Sequence, residues 1–526
     1  MSMTWLANVD SASFWAHKTW ADFASLQEKE RHVVLVPLYG LNDHGLGLPL
    51  DAEEILGAAV VRAAIAQMSG TAPCHVLPPV RFGLAPFACS FFGLETETAR
   101  ELLIELAAGV KAAGFHKLVF FNTSPWNREL VIDTSRDIRV EQKLQTFIIN
   151  TPLLGFDFHP ASTQRGQVQA AVAHLRGSAP NKSSRPADVR DADFRPGFYV
   201  QPAPLAFDPT LDGASIIAKA AQHLARLLDE IQHAAPLSAL TSGGHGVPTE
   251  RPLSSEKSSG VKPTSPAQDF VFPARFRSRY LPAFTRDALD ALPNKKRALV
   301  IIPTGAIEQH GPHLPVGVDS ILGQAWLEAI LPKLPAGAPV FVAPPITFGK
   351  SNEHIAFPGT LSISFNIFRR TLLAIARQLK ALGFSRIAVL NTHGGNSAVV
   401  VATLREIQGS LDMSAGVLGW PYKPEQSEQE AAYGFHAGEW ETSLILAAAG
   451  ELVDMSKAVC EYPAKLGDPG ELRPEGAPAI LSWATEDISR SGVMGDATIA
   501  TPDKGKRWFE AQSAALAKRI QELLAR

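Results

Sequence analysis

The chain carries two versions of one pattern. Shifted by 266 positions, Pro37 falls on Pro303, His44 on His310, Gly45 on Gly311, Pro49 on Pro315, Pro79 on Pro345 and Gly93 on Gly359. After a slip of three residues the match resumes, with Gly114 on Gly383, Asn122 on Asn391 and Asn127 on Asn396. Glycine and proline dictate backbone geometry, so their coincidence in order reads as a tandem duplication. Whatever one half folds into, the other is expected to fold into as well.

Each half alternates short apolar runs with amphipathic stretches. The first half reads as a strand over Val33 to Pro37, a helix from about Glu54 to Met68, a strand at Cys74 to Pro79, a helix from about Glu95 to Ala113 and a strand over Lys117 to Asn122. The second has buried-strand runs over Ala298 to Pro303 and Arg386 to Asn391, the latter leading into a helix from about Ser397 to Gly409. Strands alternating with helices at this spacing predict an α/β chain built on parallel sheets covered on both faces. At 526 residues two domains are expected. They are residues 1–235 and 271–526, joined by a Ser/Pro/Gly-rich linker over 236–270. The polar stretch from Gly177 to Gly197 reads as a surface insertion.

Composition excludes several function classes. A formal net charge of −3 provides no basic field for nucleic acid or an anionic membrane, and 46% hydrophobic with 19% charged residues is a globular balance. No apolar run approaches the roughly 20 residues of a membrane span, and Met1 to Trp20 lacks the apolar core of a signal peptide. Cys74, Cys89 and Cys460 show neither metal-ligand nor disulfide spacing and read as buried apolar thiols in a reducing compartment. A cytoplasmic location is expected.

The chemistry concentrates in the second half. The stretch from Gly305 to Asp319 leaves the carboxyl end of a predicted strand, where open α/β sheets place their ligands. Glu308 and His310, two apart in extended backbone, project to one side, and Asp319 can return to them after a Gly/Pro-rich turn. His393 follows the Arg386 to Asn391 strand within Thr392-His393-Gly394-Gly395-Asn396, and His436 and Glu441 open an apolar helix. Glu308, Asp319 and Glu441 with His310 and His393 offer three negative charges and two neutral nitrogens, enough for two divalent cations with Asp319 bridging. Such cations acidify a shared water to a hydroxide usable near neutral pH, and His436, not needed as a ligand, is placed to pass a proton to a leaving nitrogen.

Other residues admit two readings. Glu353 and His354 line the substrate pocket or fix their loop by hydrogen bonds; Trp440 and Trp420 cover a planar substrate or pack; the Gly492 to Asp496 turn contacts the site or caps a turn. His313 reads as structural. At the matched places the first copy has Asn42 for Glu308, Glu53 for Asp319, Ser124 for His393 and Trp126 for Gly395, and keeps His44. It is expected to hold no two-metal cluster.

These residues resemble the creatininase (creatinine amidohydrolase) family. The signatures are Glu308-Gln-His310-Gly-Pro-His-Leu-Pro with Asp319, Ser351-Asn-Glu353-His354-Ile-Ala-Phe357-Pro-Gly-Thr-Leu361, Asn391-Thr-His393-Gly-Gly-Asn396, His436-Ala-Gly438 with Glu441-Thr-Ser443, and Gly492-Val-Met-Gly495-Asp496. They run through residues 271–526, and the first half resembles the family weakly from about Val33 to Asn127. The resemblance implies two tandem three-layer αβα domains with mainly parallel sheets, the first degenerate, and a homo-oligomer. It further implies a binuclear site of two zinc, manganese or iron ions in the second domain and hydrolysis of a non-peptide C–N bond. By the same match Glu308 and His393 hold one metal, His310 and Glu441 the other, Asp319 bridges, and His436 transfers the proton. Gly395 and Phe435 stand where creatininase proper has Glu, which places the chain in the wider family of formamide hydrolases and the peptidase of mycofactocin maturation. The expected function is hydrolysis of a small cyclic amide or formamide. The alternatives are a metallopeptidase trimming a short modified peptide and a non-catalytic metal or small-molecule binding protein.

Overall fold

The computed structural model describes residues 9–68, 74–85, 87, 89–178, 210–235, 276–463, 472–473 and 479–525. The expected linker over 236–270 and most of the 177–197 stretch lie outside the described residues. In the first half the elements that frame the sheet are β1 Val33–Tyr39, α1 Ala52–Ile65, β2 Cys74–Val76, α2 Thr96–Ala112, β3 Lys117–Asn122, α3 Arg128–Gln142, β4 Gln145–Asn150, α4 Arg165–Arg176 and α5 Gly213–His233. In the second they are β5 Leu299–Thr304, α6 Val318–Ile330, β6 Val340–Val342, α7 Phe365–Ala381, β7 Arg386–Asn391, α8 Ser397–Leu411, β8 Ser414–Val417, α9 Glu428–Tyr433, α10 Glu439–Ala449 and α11 Pro502–Ala525.

The offset read in the sequence reappears in the elements. The starts of β1 and β5, of α1 and α6, and of β2 and β6 differ by 266; those of α2 and α7, β3 and β7, α3 and α8, and β4 and β8 differ by 269. Both sheets are parallel, ordered β2-β1-β3-β4 and β6-β5-β7-β8. The order reverses beside the first strand of each sheet, so a crevice opens over the carboxyl ends of β5 and β7. β1 and β5 are buried at every residue, as continuous Val/Ile/Leu runs covered on both faces require.

Local chemistry accounts for the departures. The strand expected over Cys74 to Pro79 stops at Val76, because the prolines at 78 and 79 offer no N–H to the ladder, and Val80–Arg81 then rejoins β1. α1 spans Ala52–Ile65, so it starts and ends earlier than expected. All three cysteines are free, but only Cys74 and Cys89 are buried; Cys460 is exposed, against expectation. It lies on the short strand Cys460–Glu461, paired on one side with Gly495–Asp496, where a small side chain has no core to enter. Among the described residues no helix is long and apolar enough to cross a membrane.

The core does not respect the division into halves. One apolar cluster runs from Phe14 and Trp15 through α2 and β5 to Trp508 and Ile520, while a second is confined to the first half, around α1 and α5. The α2 face meets α7, with Glu101 paired to Arg370 at 2.9 Å.

Candidate metal centre

Four chain segments converge over β5 and β7. The loop after β5 carries Glu308 and His310, the first turn of α6 carries Asp319, the turn after β7 carries His393, and the first turn of α10 carries Glu441. Glu308, His310, Asp319 and His393 are buried, and Glu441 is the most open of the five. His393 Nδ1 lies 3.2 Å from Glu308 Oε1 and 3.4 Å from Asp319 Oδ2. His310 Nε2 lies 3.5 Å from Asp319 Oδ1, 3.8 Å from Glu441 Oε2 and 3.9 Å from Glu308 Oε1. Each oxygen of Asp319 thus faces a different histidine.

These residues fit a pair of divalent ions on three grounds. Glu308 Oε1 and Oε2, His310 Nε2 and Asp319 Oδ2 are buried without a hydrogen-bond partner, an arrangement that costs energy unless a cation satisfies it. The His393 to Glu308 approach is therefore a charge contact rather than a directed hydrogen bond. The far nitrogens are taken: His310 Nδ1 meets Glu308 O at 3.1 Å, and His393 Nε2 meets Lys350 O at 3.0 Å and Ser351 Oγ at 3.2 Å. The carbonyl acceptors on those sides draw the ring N–H and set the tautomers, leaving lone pairs on the nitrogens that face the carboxylates. Finally, atoms bound about 2.1 Å from one tetrahedral ion stand about 3.4 Å apart, close to the spacings here.

The electrostatics carry the same demand. Burial opposes charge on His310, yet Asp319, Glu441 and Glu308 outweigh it and push its pKa up to about 9. Burial likewise opposes charge on His393, and Glu308 and Asp319 push it up to about 10. Burial, reinforced by Asp319, raises the Glu441 carboxyl to about 7. Among the described residues no lysine or arginine pairs with these carboxylates, so protons on histidines answer a charge that divalent cations answer as well.

His436 stands over the cluster. Its Nε2 lies 2.9 Å from Gln309 O, and Nδ1 faces Glu308 Oε1 at 3.9 Å. Its ring lies 4.4 Å from His310 and stacks at 4.4 Å on His354. The next residue, Ala437, has a φ of +54°, a left-handed backbone that costs a non-glycine residue on the order of 1–3 kcal/mol. It is held by Ala437 N–H donating to Glu441 Oε2 at 2.5 Å and by backbone pairing of His436 with Met494. The Gly492 to Asp496 turn therefore meets the site through its backbone.

A cavity of about 460 Å³ opens onto His393, His436 and Glu441, walled by Trp440, Trp420 and Phe435. Trp440 also packs on Trp508, with ring centroids 5.1 Å apart. Glu353 and His354 are not among the lining residues. His354 is buried, with Nδ1 2.6 Å from Thr485 Oγ1 and Nε2 3.5 Å from Glu308 Oε1. Glu353 fills the space beside Gly395, where a Cβ would stand 2.3 Å from its Oε1, and pairs with Lys350 at 3.3 Å. His313 is buried, with Nε2 2.8 Å from Thr442 Oγ1.

Two residues that sequence reasoning passed over help hold the arrangement. Gln309, between the two candidate ligands, brings its Nε2 to 3.1 Å from Gly492 O, His354 Nδ1 and His436 Nε2, and its Oε1 accepts from Gly311 N at 2.9 Å. Glu430 accepts from Glu439 N at 2.8 Å, Asp496 N at 2.9 Å and Tyr462 OH at 2.8 Å, tying the start of α10 to the 492–496 turn. Alternation along an extended loop was the available signal for Gln309; nothing local marked Glu430.

The corresponding place in the first half is closed. Glu53 accepts from Gly40 N at 2.8 Å, Asn42 Nδ2 at 2.7 Å and Thr123 Oγ1 at 2.9 Å, and His44 Nε2 lies 3.1 Å from it. Trp126 and Phe158 pack around His44. A carboxylate satisfied by neutral donors leaves little call for a cation. Among the described residues, every group of three potential ligands falls in the second half.

The chain is similar to several known proteins. The mycofactocin precursor peptide peptidase of Mycolicibacterium smegmatis (strain ATCC 700084 / mc(2)155) is 32% identical over 226 residues, covering 42% of this chain and 84% of that protein. The creatinine amidohydrolase of Pseudomonas putida is 29% identical over 246 residues, covering 43% of this chain and 89% of that protein. A solved structure, "Creatininase Mn", is 27% identical, covers 47% of this chain and 99% of its own, and superposes with a TM-score of 0.39. The family profile for creatininase (creatinine amidohydrolase) matches residues 16–184 and again residues 283–520. With one match over each sheet and most of the chain covered, the protein belongs to the creatininase family.

Proposed function

We propose that this protein is a two-metal hydrolase of an amide C–N bond, with residues 271–526 as its working half and residues 1–235 as a copy that has lost its centre. The observation that carries this reading is the set of buried, unpartnered atoms of Glu308, His310 and Asp319 at ligand spacing. In this reading Glu308 and His393 hold one ion, His310 and Glu441 the other, and Asp319 is shared; zinc, manganese and iron suit such a mixed imidazole and carboxylate set. Bound there, the ions supply an acidified water as nucleophile and polarise the scissile carbonyl.

The chain itself handles the proton and the substrate. Burial, then the neighbouring His310 and His354, push the His436 pKa well below its usual value, so its imidazole is neutral. With Nε2–H donated to Gln309 O, the lone pair on Nδ1 points at the Glu308 side of the centre. It accepts a proton there and returns it to the departing nitrogen. Trp440 and Trp420 wall the space in which a planar amide is held.

A small cyclic amide or formamide is the leading substrate class. A short modified peptide is the second reading, favoured by the similarity to the mycofactocin precursor peptide peptidase; the cavity of about 460 Å³ is within the roughly 300–1,000 Å³ of small-molecule sites and suits either. The test is elemental analysis of purified protein beside a panel of cyclic amides, formamides and short peptides. The expected result is about two ions per chain, with turnover abolished by a chelator and restored by metal. Metal-free protein that binds an amide without turning it over would replace this proposal with the binding-protein alternative.

A further inference from the structure

The leading segment of the first half is built into the candidate centre of the second. Val316 N donates to Lys18 O at 2.8 Å and Gly317 N to Ala16 O at 2.9 Å, while Glu308 N donates to Val316 O at 2.8 Å. The backbone that returns Asp319 to Glu308 is thus held on one side by first-half carbonyls. The approach is close enough that a Cβ on Gly317 would stand 2.6 Å from Ala16 O.

A second set of contacts reaches the same loop through the segments behind it. Trp15 Nε1 donates to Gly359 O at 2.8 Å, and the Phe23 ring packs so tightly there that a Cβ on Gly359 would stand 2.3 Å from it. Trp20 Nε1 donates to Ser491 O at 3.0 Å, and its ring meets Phe357 edge-on at 5.2 Å. The stretch they hold in turn holds the ligand loop: Leu361 N donates to Ile307 O at 2.8 Å, and Gln309 N to Thr360 Oγ1 at 3.1 Å. Gly492, next to Ser491, accepts from Gln309 Nε2.

We propose that the first half serves the second as a positioning element, with the segment from Trp15 to Phe23 fixing the Glu308 to Asp319 loop at metal-ligand spacing. The inference rests on the two-metal reading above. A loop ordered in advance pays no ordering entropy when ions bind, so loosening it weakens metal retention. It also gives a reason for keeping a copy whose own carboxylate is already satisfied.

The test uses the full chain. Ala16→Leu pushes a larger side chain against Gly317, and Trp20→Phe removes the hydrogen bond to Ser491 and trims the ring that meets Phe357. Leu224→Ala, in the core confined to the first half, is the control for general destabilisation. Each is titrated with a competing chelator and read by elemental analysis. Ala16→Leu is expected to weaken retention roughly 10–100-fold, as removal of groups that orient metal ligands does, and Trp20→Phe a few-fold. Leu224→Ala is expected to lower the unfolding midpoint and leave retention at the wild-type value. Unchanged retention in both test variants, or an equal loss in Leu224→Ala, overturns the inference. If Ala16→Leu does not fold, Trp20→Phe decides alone. A metal-free wild type overturns the two-metal reading itself, and the inference with it.

Discussion

Removing Asp319 is expected to empty both metal positions, whereas neutralising Glu441 empties one. Asp319 presents Oδ1 at 3.5 Å from His310 Nε2 and Oδ2 at 3.4 Å from His393 Nδ1, so its two oxygens serve both sides of the centre. Glu441 Oε2 lies 3.8 Å from His310 Nε2 and belongs to that side. Deleting one partner of a buried charge pair costs about 3–5 kcal/mol, which corresponds to about 10²–10⁴-fold in a dissociation constant. In Asp319→Ala that penalty falls on both ions; in Glu441→Gln it falls on the ion shared with His310. Each protein is equilibrated at a buffered free metal concentration about tenfold above the wild-type dissociation constant, freed of excess and analysed for metal. The expected contents are about two ions per chain in wild type, about one in Glu441→Gln and almost none in Asp319→Ala. An Asp319→Ala protein that keeps one ion at full strength, or a Glu441→Gln protein that loses both, would refute the shared-carboxylate arrangement.

Glu430→Gln turns an acceptor of three hydrogen bonds into a mixed group; a loss of about 1.5–3 kcal/mol and a fall in kcat larger than any change in KM are expected from denaturant unfolding and steady-state kinetics. A rise in KM with kcat unchanged would argue that Glu430 binds substrate instead. Glu53→Gln breaks the closed network of the first half, so the unfolding free energy falls by about 1–3 kcal/mol while metal content and activity stay at wild-type values; a loss of metal would mean that the first copy holds an ion. Burial, then Lys18 and His32, push the His75 pKa down to about 2. The folded state therefore refuses a proton that the unfolded state accepts near pH 6.5, so the contribution of His75 to stability is whole above about 6.5 and is lost below it at up to about 1.4 kcal/mol per unit. In His75→Gln the acid limb of stability against pH is expected to flatten; an unchanged limb would remove His75 as its cause.

Much of the fold was legible because its signals are local. β3 and β7 fall where the apolar runs of Lys117 to Asn122 and Arg386 to Asn391 placed them, and α8 begins at Ser397 as expected. The break after Val76 is also local, set by the prolines at 78 and 79. In the site, alternation along the loop put Glu308 and His310 on one side, and strand ends brought His393 to the same crevice. Which nitrogen of His393 faces the carboxylates was not legible, because Lys350 O and Ser351 Oγ decide it from another segment; for His310 the carbonyl of Glu308, two residues away, decides it through the local turn of the backbone. The stacking of His354 on His436 depends on how two distant loops pack, and no local signal in either loop gives it.

By itself, then, the sequence determined the repeat, the α/β class and the set of His, Asp and Glu residues proposed to bind metal, since each depends on side-chain type and spacing within a few turns of chain. The tertiary structure alone decided that the core runs through both halves and that Ala16 and Lys18 hold the loop of Asp319. Those holds are made by backbone carbonyls, which every residue possesses, so no choice of side chain announces them.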